Sequence, residues 1–141
     1  MVHSDAIQIH TQGHGDAHDL TRQVETIVSA SGVHSGVVVV HTPSSTSALT
    51  TIEYEPGALD DLKRALDEIV PTDREYLHNL AWGDGNGHAH VKAALLGPSI
   101  SLPVLSGKIA LGTWQQILFL DFDVRPRQRE IIVQVVGEQG R

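Results

Sequence analysis

Between His78 and Gln116 the chain gathers residues that ordinary packing does not require: His78, His88 and His90, the carboxylate of Asp84, the side-chain amides of Asn86 and Gln115, and a dense set of glycines. Histidine titrates or ligates near neutral pH, and glycine lets backbone amides come close to a bound group. Two earlier positions are read as coming to meet this stretch. His41-Thr42 closes an apolar run, and Glu53 follows a segment rich in serine and threonine.

Several chemistries use these residue types. His41, His78 and His90, with Asp84 or Glu53 beside them, have the ligand types for zinc or another divalent ion, although their spacing matches no metal motif. Gly83-Asp84-Gly85-Asn86-Gly87 leads into a predicted helix, where free amides and the helix dipole favour an anion. It lacks the G-K-[ST] ending of a Walker loop. On that helix His88 and His90 diverge by about 200°, so one pocket takes either His90 or the His88-Lys92 face. Gly112-Thr113-Trp114-Gln115 reads either as a tight turn whose tryptophan fills the core or as a means of presenting the Gln115 amide. His3, His10, His14, His18 and His34 lie in the polar N-terminal third without partner spacing and are read as surface residues.

The elements that must position these groups follow from periodicity. Ala6 to His10 alternates as a first strand, and Gly13 to Asp16 is a turn. Leu20, Val24, Ile27 and Val28 recur at helical spacing between Asp19 or Thr21 as cap and Gly32 as stop, predicting a helix over Thr21 to Ser31. Val37 to Val40 is a continuous β-branched run, which suits a strand covered on both faces. Ala48 to Tyr54 is expected to return beside it. Leu59, Leu62, Leu66 and Ile69 mark a second helix over Ala58 to Ile69, stopped by Pro71. Asp73 to His78 reads as a linker, and His88 to Leu96 as a short third helix ended by Gly97-Pro98. Ile100 to Val104 makes a strand at an edge because of Pro103. Lys108 to Leu111, Ile117 to Phe122 and Glu130 to Val136 complete the strands. The expected fold is α+β: a single domain over residues 1–141, with largely antiparallel sheets, two main helices and a short third one.

Composition narrows the function. The 141 residues suit one domain with a real core. A formal charge of -7 argues against nucleic acid, which needs a basic face. The lack of cysteine excludes disulfides and thiolate chemistry, so any metal sits on histidine and oxygen. No apolar run approaches the roughly 18 residues of a membrane span, and the N-terminus does not read as a signal peptide, so the expected location is cytoplasmic.

The runs HTPSSTSALTTIEYEPGALDDL, GNGHAHVKAALLGPSISLPV and GKIALGTWQQILFLDFD, in this order, resemble the YjbQ-like family of secondary thiamine-phosphate synthases. The likeness extends from about the first helix to the end of the chain. It implies antiparallel sheets, a homotrimer, and a pocket holding the family's histidines. Carried over by position, it points to His41-Thr42, Glu53, His78, His90 and the Gly112 to Gln115 segment. Ile52 stands where the family usually has asparagine, and Asp121 where it often has glutamate.

The activity implied is condensation of hydroxymethylpyrimidine diphosphate with the phosphorylated thiazole, releasing pyrophosphate. In that reading His41, Glu53, His90 and Gln115 are catalytic, while Thr42, Asp84, Gly85, Asn86, Gly87 and Thr113 hold the phosphorylated substrate. A divalent metal, Mg²⁺ or Zn²⁺, would use His41, His78 and His90. A metal-dependent hydrolase built on the same histidines and a non-catalytic trimeric module for a small anion are the alternatives.

Overall fold

The computed structural model describes residues 1–140. The elements are β1 (Val2–Thr11), β2 (Asp16–Asp19), α1 (Thr21–Ser31), β3 (Val33–His41), β4 (Ser47–Ile52), α2 (Pro56–Ile69), α3 (Leu77–Trp82), α4 (Gly87–Leu96), β5 (Ser99–Leu105), β6 (Lys108–Ile109), β7 (Gln116–Asp121) and β8 (Arg127–Gln139). They form a five-stranded sheet in the order β1-β8-β3-β5-β6 and a three-stranded sheet in the order β2-β7-β4. Neighbouring strands in both are antiparallel, so the α+β expectation holds.

Local chemistry sets the helix boundaries. The Asp19 carboxylate accepts from both the amide and the hydroxyl of Thr21, at 3.0 and 2.6 Å, while Gly32 closes α1 in the left-handed region. α2 starts two residues before the expected Ala58, because Glu55 accepts from the Gly57 and Ala58 amides and Pro56 suits the first turn.

The sheets pack face to face. Val38, Val40, Ile131, Val133 and Val135 of the large sheet meet Leu49, Ile117 and Phe119 of the small one, with Val24 and Val28 of α1 sharing this core. Behind the small sheet, Ala48, Leu118 and Leu120 pack against Leu66 of α2 and Ala89 and Ala93 of α4. Among the described residues no helix is long and apolar enough to cross a membrane.

Four sequence-based expectations change. The strand covered on both faces is β7, whose residues Ile117 to Asp121 are all buried, whereas Val37 and Val39 of β3 lie half-exposed on the outer face of the large sheet. β4 pairs with β7 rather than with β3. β2 is an additional strand, held to β7. The linker before the glycine loop contains α3, so the described residues form four helices rather than three. α3 was hidden because its apolar residues point outward: Leu77, Leu80 and Trp82 are 81%, 68% and 76% exposed, leaving no buried stripe to detect.

Candidate functional site

One end of the small sheet carries a polar pocket of about 410 Å³. It is lined by the β3–β4 loop at Pro43 to Thr46, by Asp84, Asn86 and His90, and by Asp123, Arg127 and Arg129. β8 supplies the arginines by simple alternation. Val135, Val133 and Ile131 fill the core, and the same face continues past the core's edge as Arg129 and Arg127. β7 supplies the opposing charge where its apolar run ends.

Arg129 is the centre of this arrangement. Its Nε donates to Asp121 Oδ2 at 2.8 Å and its Nη2 to Asp121 Oδ1 at 3.1 Å, a two-pronged bond to a wholly buried carboxylate. The same Nη2 reaches the Thr46 hydroxyl at 2.8 Å. Thr11 adds a hydroxyl to Asp121 at 2.6 Å. Burial alone would push the Asp123 carboxyl up, but hydrogen bonds from Thr46, Arg127 and the Arg125 amide outweigh it and hold its pKa below the usual value. Asp123 is therefore ionised at neutral pH. Arg127 ion-pairs with it at 3.2 Å while leaving its own buried Nε without a partner.

His78 of α3 and His90 of α4 meet beside this pocket. Their rings are tilted against each other with centroids 4.3 Å apart, and His78 Nδ1 stands 3.4 Å from Asp84 Oδ1. His90 Nδ1 is 3.1 Å from the Ser45 carbonyl, the contact that fixes the ring over the serine loop. Two carboxylates, two imidazoles and two guanidiniums thus share one surface, with hydroxyls from Ser44 and Thr46 beside them. That set can donate to a phosphate and move a proton.

The glycine loop behaves differently from the anion seat anticipated for it. The Gly87 amide donates to Asn79 Oδ1 at 2.8 Å, and the Asn86 amide to Asp84 Oδ1 at 3.0 Å. Asn86 in turn accepts from the Val124 amide, tying the loop to the end of β7. A Cβ on Gly87 would fall 2.4 Å from Cβ of Tyr76, so this glycine exists for close packing of α3 on α4. Gly87→Val is accordingly expected to cost about 1–3 kcal/mol through overpacking. A thermal melt checks this, and an unchanged melting temperature would contradict it. Gly85 is exposed, with φ of 75°.

The other anticipated residues lie elsewhere. His41 faces the outer side of the large sheet, where its Nδ1 is 2.5 Å from Ser99 Oγ and its register partner on β8 is Ile132. Thr42 is buried, with its hydroxyl 2.9 Å from that of Ser47. Glu53, Thr113 and Gln115 sit at the opposite end of the small sheet from Asp121. The length of β4, about 17 Å for its five steps, lies between them and Thr46. There Gln115 accepts from the Gly112 amide and donates to Thr51, making a tight turn, while Trp114 is 72% exposed rather than core-filling.

Because His41 does not converge with His78 and His90, the three-histidine metal set is not assembled within one chain. Among the described residues no group of three or more histidines and acids is placed to hold a metal ion. His88 and His90 face different pockets, as helical geometry requires.

The family model for UPF0047 protein YjbQ-like matches residues 5–138. The chain is 47% identical to a UPF0047 protein of Archaeoglobus fulgidus over 118 residues, covering 84% of this chain and 89% of that one. It is 33% identical to the UPF0047 protein YugU of Bacillus subtilis, covering 93% and 97%. A YbjQ-like protein of unknown function from Sulfolobus solfataricus superimposes with a TM-score of 0.93 at 36% identity, covering 98% of this chain and 99% of that one. A YjbQ/UPF0047 protein from Clostridium acetobutylicum gives 0.86 at 34%, covering 94% and 99%.

Proposed function

The chain belongs to the UPF0047 YjbQ-like family, and from that premise we propose that it is a cytoplasmic transferase for small phosphorylated heterocycles, of the thiamine-phosphate synthase type. The observation that carries this reading is the convergence of Arg127, Arg129, Thr46 and His90 on one open pocket. In the condensation, the thiazole nitrogen forms a C–N bond to the pyrimidine methylene while the C–O bond to the diphosphate breaks. Negative charge therefore gathers on the departing pyrophosphate. Arg127 is the donor best able to meet it, since Arg129 is already held by Asp121. His90, braced by His78 and Ser45, orients the leaving group or supplies it with a proton.

We further propose a homotrimer in which the Thr113–Gln115 turn and Glu53 of one protomer complete the His90 pocket of the next. A head-to-tail ring brings opposite ends of a subunit together, and the anticipated residues lie at two such ends. Exposed apolar groups flank both: Trp82 and Leu80 beside His78, and Trp114 and Tyr54 beside Gln115. Val37, Val39, Ile132 and Val136 on the outer face of the large sheet add further surface suited to a partner copy.

One experiment tests both parts. The unmutated protein should release pyrophosphate from the two substrates, His90→Ala and Gln115→Ala should each fail, and co-expressed mixtures of the two should regain about a quarter of the activity, the fraction of pockets built from two intact halves in a ring. Absence of pyrophosphate release by the unmutated protein would remove the transferase reading, leaving a binding module. Turnover without recovery in the mixture would remove the shared pocket alone.

A further inference from the structure

On the opposite face of α4 from His90 lies a second, smaller cavity of about 140 Å³, walled by the turn before β2, by α2, by α4 and by Phe122. Its deepest groups come from one helical face. His88 and Lys92, one turn apart, are each only 4% exposed. Both ring nitrogens of His88 are buried and have no hydrogen-bond partner. A core histidine normally satisfies at least one of them. Lys92 crosses the cavity wall, its Nζ 6.0 Å above the Phe122 ring, to meet Asp67 at 2.6 Å.

Charge sharpens the picture. Lys63, Lys92 and the carboxylate of Asp67 line the cavity, while Asp16 acts on Lys63 and Asp123 on His88 from outside the lining. The Asp67 side chain is 62% exposed, so its hold on the buried ammonium is shared with solvent. An ammonium and an unpartnered imidazole buried on one wall favour a ligand that is negatively charged and accepts hydrogen bonds. His14, held at φ of 56° between Gly13 and Gly15, borders the mouth and adds another N–H. The volume corresponds to four or five waters at about 30 Å³ each, which is room for one phosphate or a short carboxylate.

We propose that this cavity is a second ligand site, separate from the His90 pocket, that takes the oxyanion of a small phosphate or carboxylate compound. Lys92 and Lys63 supply the charge, and His88 donates a ring N–H. The site lies behind the small sheet and shares α4 with the His90 pocket, so it is placed to sense a ligand independently of turnover.

The test uses the full chain labelled with ¹⁵N-histidine, titrated separately with inorganic phosphate and with malonate. The His88 ring signals, identified by their loss in His88→Gln, should move saturably with at least one anion, and the anion bound more tightly assigns the class. Lys92→Met should weaken the response about tenfold, the loss expected for one charge-assisted hydrogen bond. Arg127→Ala should leave it intact. Lys63→Gln, at a more accessible position, provides a second weakened variant in case Lys92→Met does not fold. The proposal is overturned if neither anion moves His88, if the folded lysine variants respond as the unmutated protein does, or if Arg127→Ala abolishes the response.

Discussion

Replacing Arg129 with alanine is expected to cost about 3–5 kcal/mol of folding free energy, because it strands a buried carboxylate. Asp121 is wholly inaccessible, and Arg129 satisfies both of its oxygens; Thr11 and the Asp123 amide remain to Asp121, but neither carries charge. Removing the guanidinium also takes one partner from the Thr46 hydroxyl, which keeps its bond to Asp123, and so loosens the loop beneath His90. Chemical denaturation of Arg129→Ala checks the magnitude. The paired replacement Arg129→Met with Asp121→Asn should lose less than the single alanine variant, because no charge is left unpaired. A single-variant loss below about 1 kcal/mol, the range of an exposed pair, would show that water reaches Asp121 and that the network is not the scaffold of the site.

His90→Ala is expected to show the opposite pattern, with stability nearly unchanged and turnover reduced by about 10²–10⁴-fold, the usual range for losing a positioned proton donor. His90 is only half-buried, and its one protein hydrogen bond is to a loop carbonyl, so little packing is lost. His34→Ala serves as the control, since that side chain is exposed on the large sheet far along β3 from the pocket. Pyrophosphate release measured beside a thermal melt separates the two effects. Equal turnover in His90→Ala and the unmutated protein would move the chemistry elsewhere, and unfolding of His90→Ala would make this histidine a structural one.

Much of the fold was readable because local signals and tertiary packing agree. α1 begins and ends where its apolar spacing, Asp19 and Gly32 place it. Where they disagree, the sequence misleads in a physical way. The valines of β3 read as a doubly covered strand, yet Val37 and Val39 lie half-exposed on the outer face of the large sheet. α3 escaped notice because its apolar residues have no core to face within one chain. The site was partly legible as well: His78, Asp84, Asn86 and His90 do come together. The charged half was missed, although it carried a signal. Asp121 and Asp123 end an otherwise apolar run, and Arg127 and Arg129 extend the two-residue alternation of β8, a pattern that core packing does not need. Gly87 shows the converse error, since a glycine before a helix can serve packing as readily as an anion. The grouping of His41, Glu53 and Gln115 with His90 could not be judged from chain order, because the strand topology decides which ends lie together.

Calorimetric titration with inorganic pyrophosphate asks whether the pocket of His90 and the two arginines receives the phosphate portion of a small molecule. Saturable binding is expected, which Arg127→Ala weakens at least about tenfold through loss of a charge-assisted contact, while Lys92→Met leaves that component in place. Absence of saturable binding at millimolar pyrophosphate, or an affinity that Arg127→Ala does not change, would contradict it.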